Sequence, residues 1–322
     1  MRLALALSLA APTLATAQPR VWMFPTPYMK GQEFREMFQN PAGWQRTRQS
    51  IEGIAYADHW LNSQFNDAQL RAWLPQISRW GLKLALEVGA VKPGSPTGQH
   101  AFDVSHPRWD RFIADGGRID AIAMDEPLAA TVRDLHLPMQ YGVEQTAIFI
   151  QMVRHAYPNM AIGDIESYPY FQPGEIMQFI DALQGRLRQM GVRGLDFVRL
   201  DVDWMHFHPG DAKGRLGWRG AKMIEDQCHR RHIPFSLIYW AANYPSLSKQ
   251  GEATPGTWTS AILDEAAQYA AVGGVPDEFF VESWILSDND PVPPHVTPDS
   301  SPDTMAGSVL ALASRFASQR YR

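Results

Sequence analysis

The chain has 322 residues, 45% hydrophobic and 20% charged, with 29 basic against 34 acidic side chains and a formal net charge of −5. That balance, with no basic tract or basic-aromatic stripe, argues against a nucleic-acid partner, and the hydrophobic share excludes wholesale disorder. One cysteine excludes both an intramolecular disulfide and a cysteine-based zinc site.

Residues 1–17 read as a cleaved secretory signal. Arg2 is the basic start, 3–11 the apolar stretch, and Ala15-Thr16-Ala17 a small-x-small cleavage site before Gln18. Residues 18–322 are then the folded domain, exported to the periplasm or medium of a bacterium. No later apolar run approaches the ~20 residues of a membrane span, so none is expected.

In chain order, 21–24 predicts the first strand and 34–51 the helix after it. The pairs that follow are 53–57 with 68–80, 83–88 with the shorter 107–114, and 121–124 with 143–156. Next come 161–166 with 175–190, 197–204 with 218–232, 235–240 with 260–271, and 279–284 with 305–317. In 175–190, Ile176, Phe179, Ile180, Leu183 and Leu187 fall at helical spacing and form one apolar stripe. Eight strand–helix units in succession predict a closed (β/α)8 TIM barrel of one domain. Turns into the strands are short and carry Gly or Pro, whereas loops out of them are long (89–105, 128–141, 205–217, 243–257 and 286–304), which puts elaboration at the carboxyl ends of the strands. The Pro-rich 288–302 reads as a connector that touches the rim. An open doubly wound sheet is the alternative, but no Gly-x-Gly-x-x-Gly follows the first strand.

Acidic residues gather where five strands finish. They lie in Leu86-Glu87-Val88, Met124-Asp125-Glu126-Pro127, Gly163-Asp164-Ile165-Glu166-Ser167, Leu200-Asp201-Val202-Asp203-Trp204 and Val281-Glu282-Ser283-Trp284. Strand alternation puts Arg199, Asp201 and Asp203 on one face and Val198, Leu200 and Val202 on the other. With the apolar set under the helices, the charged set points into the barrel, and the same parity is expected for Asp164 and Glu166. An internal ion pair between Arg199 and Asp201 is the structural alternative. Carboxyls crowded in one cleft raise one another's pKa, which general acid catalysis requires. Tyr168, Trp204, Tyr239, Trp240, Asn243 and Trp284 lie at or just beyond strand ends, where rings can take the apolar CH faces of sugars and polar groups can hold hydroxyls.

Asp125-Glu126-Pro127, ending the fourth strand, is similar to the Asn-Glu-Pro motif of the large clan of retaining glycoside hydrolases built on this barrel. The resemblance implies a general acid/base role for Glu126 and a sugar 2-hydroxyl contact for the residue before it, here Asp125 in place of Asn. The clan's nucleophilic Glu ends its seventh strand, where this chain reads Ile238-Tyr239-Trp240-Ala241-Ala242-Asn243; the nearest counterpart, Glu282, ends the eighth.

The reading is a secreted, monomeric glycoside hydrolase that needs no cofactor or metal and acts on a carbohydrate chain. Glu126 would protonate the glycosidic oxygen, with Glu282 as nucleophile or base and Glu166 and Asp203 as further candidates for that second role. Asp125, Asp164, Glu166, Tyr168, Asp201, Asp203, Trp204, Tyr239, Trp240, Asn243 and Trp284 are the expected substrate contacts. Two alternatives stand beside it. One is a sugar isomerase or hydrolase with a divalent metal on Asp203, His206 and His208; the other is a barrel that binds polysaccharide without turning it over. Cys228, His229 and His232 read as helix packing and a solvated outer face.

Overall fold

Short runs of β-branched, aromatic and small residues, cut off by glycine- or proline-bearing turns, gain most by pairing along their lengths. Eight such runs do so here: β1 (Arg20–Phe24), β2 (Gly53–Ala57), β3 (Lys83–Val88), β4 (Ala121–Asp125), β5 (Ala161–Tyr168), β6 (Phe197–Val202), β7 (Phe235–Tyr239) and β8 (Glu278–Glu282). The computed structural model describes residues 20–207, 214–244, 249, 251, 256–287 and 290–317; the leader expected at 1–17 lies outside them. Each strand pairs in parallel with its sequence neighbours, and β8 returns to β1, closing a single-domain (β/α)8 barrel.

The outer layer is made by helices Tyr28–Gln39, Asp67–Arg79, Gly98–Ala114, Met139–Ala156, Pro173–Gln189, Trp218–Arg230, Thr257–Ala271 and Met305–Leu312. Among the described residues, no helix is long and apolar enough to cross a membrane. Local chemistry sets several ends. Asn66 and Gln69 form a reciprocal capping box at the start of Asp67–Arg79. Gly81, at φ 78°, takes the left-handed conformation that closes that helix before β3.

Two helix expectations change. The segment 34–51 is not continuous, because Pro41 lacks an N–H and disfavours a helical Asn40. Helix Tyr28–Gln39 therefore gives way to a 3-10 turn, Pro41–Trp44, and a short helix, Gln45–Arg48. Conversely, the helix expected at 107–114 begins at Gly98, where the Thr97 hydroxyl accepts the His100 N–H at 3.2 Å. Pro107 is tolerated inside it because the carbonyl left without a donor belongs to solvent-exposed Asp103. After β8 the connector is tied to the outer helices: Glu36 accepts the Val296 and Thr297 N–H groups, and Asp299 accepts the Arg46 N–H at 2.8 Å.

Strand register decides which side chains enter the barrel. Trp22 lies opposite Gly53, Glu87 opposite Ala123, Ile165 opposite Arg199, Ser167 opposite Asp201, and Ser236 opposite Glu278. All of these share the inner face. On β5 the inner set is thus Ala161, Gly163, Ile165 and Ser167, and the outer set is Asp164, Glu166 and Tyr168. This corrects the expected parity of Asp164 and Glu166. Glu166 is fully buried among the helices and accepts the Leu128 N–H at 2.8 Å. Tyr168 is fully buried too, and its hydroxyl donates to the Gly217 carbonyl at 2.9 Å. Tyr239 also faces outward, stacked on Phe279 with centroids 5.4 Å apart.

Two predictions come from β5. A Cβ at Gly163 would lie 2.0 Å from the Phe197 ring, so Gly163→Ala should destabilise the fold by roughly 2 kcal/mol or more, the scale of overpacking. Adding Phe197→Ala should recover part of that loss in denaturant titrations; simple additivity of the two losses would contradict the packing account. Asp164 is fully buried, and neither carboxyl oxygen has a hydrogen-bond partner among the described residues. Burial holds its pKa well above the usual carboxyl range. Below about pH 4 the folded and unfolded chains are both protonated there. As pH rises further the unfolded chain ionises while the folded one keeps its proton, and stability is lost. Asp164→Asn should therefore melt near wild type at pH 4 but roughly 2–4 °C higher at pH 8, the response of a domain of about this size to ~1 kcal/mol. Equal shifts at both pH values would refute this.

Candidate active site

The carboxyl ends of the strands open into a cleft of about 220 Å³. Its carboxyl groups are Glu87 from β3, Asp125 and Glu126 at the end of β4, Asp201 from β6 and Glu282 from β8; Trp60, Trp284 and Phe24 supply apolar walls. Since β4 and β8 are four strands apart in a closed eight-stranded ring, Glu126 and Glu282 stand on opposite walls. The other end of the barrel holds a separate cavity of about 290 Å³ lined by Arg20, Lys83, Arg199 and Glu278 among others.

Glu126 has a left-handed backbone, φ 48° and ψ 54°, a conformation that costs a non-glycine residue of order 1–3 kcal/mol. Three bonds hold it there. Its N–H donates to the Ile165 carbonyl at 3.0 Å, its carbonyl accepts the Ala130 N–H at 2.9 Å, and buried Glu166 holds the next turn through Leu128. The side chain is 17% exposed, with Arg133 at 3.8 Å. Burial first, and the neighbouring Asp125 carboxylate second, raise its pKa, against the pull of Lys92.

Asp125 is ion-paired with Lys92 at 2.5 Å. On the adjacent strand, burial and then the Asp125 charge push Glu87 up to about 8. Glu282 is raised well above its ordinary value by burial, then by Glu87 and Asp201, and Asp201 is raised by burial and then by Glu126. Beneath them Arg199 is 2% exposed; it donates to the Ser236 hydroxyl at 3.1 Å and to Glu278 at 3.4 Å, and lies 3.6 Å over the Phe280 ring. Its partner is therefore Glu278 below, not Asp201 above.

Of the expected site residues, Glu126, Glu282, Asp125, Asp201 and Trp284 line one cleft. Trp240 stands behind Trp284, stacked at 4.7 Å, and its indole N–H donates to the Val202 carbonyl at 2.8 Å. Asp203 lies above Asp201 on the rim and accepts from His206 Nδ1 at 2.8 Å. Trp204 belongs to a different pocket of about 360 Å³, with Phe207 and Trp218, and Asn243 does not line the acidic cleft. Asp164, Glu166, Tyr168 and Tyr239 face the helices, as described above. His208 lies outside the described residues, and among the described residues no group of three or more His, Cys, Asp or Glu is placed to hold a metal ion. Cys228 is fully buried, and His229 pairs with Asp277 at 2.9 Å on the outside.

Among the residues that shape the cleft, Glu87 and Trp60 in its lining and Lys92 beside Asp125 had no place in the expected set. Glu87 is the penultimate residue of β3 and Glu282 the last of β8, so the strand-end rule already pointed to it. Trp60 sits three residues past β2, in the same relation to a strand end as the other rim tryptophans. Lys92, in the loop after β3, carries no sequence signal of its own; only the fold brings it to Asp125.

No protein-family model matches the chain, and no curated protein matches it in sequence. Solved structures do resemble it. A thermostable mutant of the xylanase Xyn10A from Cellvibrio japonicus aligns over 92% of this chain and 97% of its own, at 13% identity and a TM-score of 0.50. A glucosidase from Croceicoccus marinus aligns over 85% of this chain at 13% identity and a TM-score of 0.47, this chain spanning 63% of its length. The YdjI aldolase from Escherichia coli K12 aligns over 82% of this chain and 75% of its own, at 10% identity and 0.45. At such identities the similarity is one of fold, and the fold is the TIM barrel.

Proposed function

We propose that this chain is a glycoside hydrolase, exported by its leader, in which Glu126 is the general acid and Glu282 the opposing carboxylate. The observation that carries the reading is the pair itself: a buried Glu282 and a half-buried Glu126 on opposite walls of one cleft, the latter on a strained turn that aims it, with tryptophan beside them. A sugar ring lodged between β4 and β8 would have Glu126 toward the glycosidic oxygen and Glu282 toward the far side of the anomeric carbon. The Glu126 proton passes to the leaving oxygen as the C–O bond breaks, and Glu282 attacks the carbon or takes a proton from the attacking water. The upward shift of its pKa favours the protonated form of Glu126 that this step uses. Asp125, fixed by Lys92, is placed to accept from a sugar hydroxyl, as the similarity to the Asn-Glu-Pro clan suggests.

The test begins with a screen of polysaccharides for released reducing ends. On the substrate so identified, Glu126→Gln should reduce turnover by at least ~10²-fold, the usual scale for losing a general acid, and an aryl glycoside with a good leaving group should suffer far less. Wild-type activity should fall on the alkaline side as Glu126 loses its proton, and that limb should be absent from the variant. Unimpaired turnover of the natural substrate by Glu126→Gln would overturn the assignment; tight binding without any turnover by the wild type would favour a barrel that only binds polysaccharide. Trp284→Ala should raise KM with the thermal midpoint nearly kept, and unfolding instead would return Trp284 to a packing role.

A further inference from the structure

The cleft carries more carboxyl groups than two-carboxylate chemistry requires. Beyond Glu126 and Glu282, it is lined by Glu87, Asp125 and Asp201. Three cations face the five acids, and each already has a carboxylate partner. Lys92 is paired with Asp125, Arg133 stands 3.8 Å from Glu126 and is bonded to Asp134 at 2.8 Å, and Arg199 is held by Glu278. His59, on the rim beside Trp60, is held toward its neutral form by burial. Glu282 is 5% exposed, and its Oε2 has no hydrogen-bond partner among the described residues although the side chain lines the cleft. Asp201 Oδ1 is buried in the same condition.

Such a set is costly to ionise around a neutral ligand. Hydroxyls can donate to carboxylates but cannot offset their mutual repulsion in a desolvated cleft. The acids are too spread to converge on a bare metal ion, since no group of three among the described residues is placed to hold one. They suit a larger cation whose body lies against Trp60 and Trp284, where an aromatic face also attracts an ammonium. We propose, building on the hydrolase reading above, that the substrate is a sugar chain bearing free ammonium groups, a de-N-acetylated amino-sugar polymer. Burial first, and the neighbouring carboxyls second, push Glu87 up to about 8 and raise Glu282 and Asp201 in the same direction. A bound ammonium favours their ionised forms, so binding should release protons.

The test is calorimetric titration of the whole protein at pH 7, in buffers of different ionisation enthalpy. The probes are oligomers of glucosamine and of galactosamine, their N-acetylated forms, glucose oligomers, and spermidine as an amine without a sugar ring. An amine-bearing oligomer should bind at least about tenfold more tightly than its N-acetylated and glucose counterparts, release protons, and weaken with salt. Asp201→Asn, checked for folding by its melting curve, should narrow that preference. N-acetylated or glucose oligomers binding as tightly as the amines would overturn the proposal, as would spermidine matching the best amino sugar. If neutral oligomers are cleaved and amines neither bind nor react, the ammonium selectivity falls while the hydrolase reading stands. If amino-sugar oligomers bind tightly and no chain is cleaved, the selectivity stands and the hydrolase reading falls.

Discussion

The upper mouth of this barrel depends on one buried guanidinium. Arg199 sits on the inner face of β6, boxed by Phe197 and Phe280, with Glu278 and Ser236 as its polar partners. A lone charge at such a position would cost several kcal/mol. Here it has an ion pair below and a cluster of acids above, whose nearest members, Glu87 and Glu282, it draws toward ionisation. The barrel axis therefore alternates in charge: Glu278, then Arg199, then the carboxyls of the cleft. A carboxyl cluster without that cation beneath it would have only Lys92 and Arg133, both at the rim, to oppose its repulsion.

A second layer, on the helix side, holds the cleft in shape. Glu126 is strained, and what keeps it so is backbone bonding plus Glu166, a residue that never reaches the cleft. The same device recurs after β7. Ala241 also has a left-handed backbone, φ 60°, and its N–H donates to fully buried Glu265 at 3.4 Å. Next to it, Trp240 leans on Trp284 and is anchored to Val202. Buried acids thus do two different jobs in this molecule. Those facing inward set the charge of the site, and two that face outward, Glu166 and Glu265, fix turns from which the site hangs.

The alternation of strand and helix was plain in the sequence because each strand is a short apolar run bounded by turn residues and each helix shows its stripe. The bounds of 53–57 and 83–88 coincide with β2 and β3. Helix ends near proline were less legible, since Pro107 looks like a stop unless the exposure of Asp103 is known. The cleft was partly legible. Glu126, Glu282, Asp125, Asp201 and Trp284 follow from strand ends alone, and Glu87 and Trp60 obey the same rule.

What the sequence determined by itself is the count of eight units and the crowding of acids at the ends of strands, for both depend on local order along the chain. What only the tertiary structure decided is which acids share a space. A barrel strand is buried on both faces, so alternation separates two sets without saying which is inside, and Ile165, Ile238 and Phe280 fill the interior as readily as Val198 and Leu200 fill the helix side. Polarity therefore marks no face. The register with β4 and β6 does, sending Asp164 and Glu166 outward and Asp201 inward, and register is a property of strands already paired.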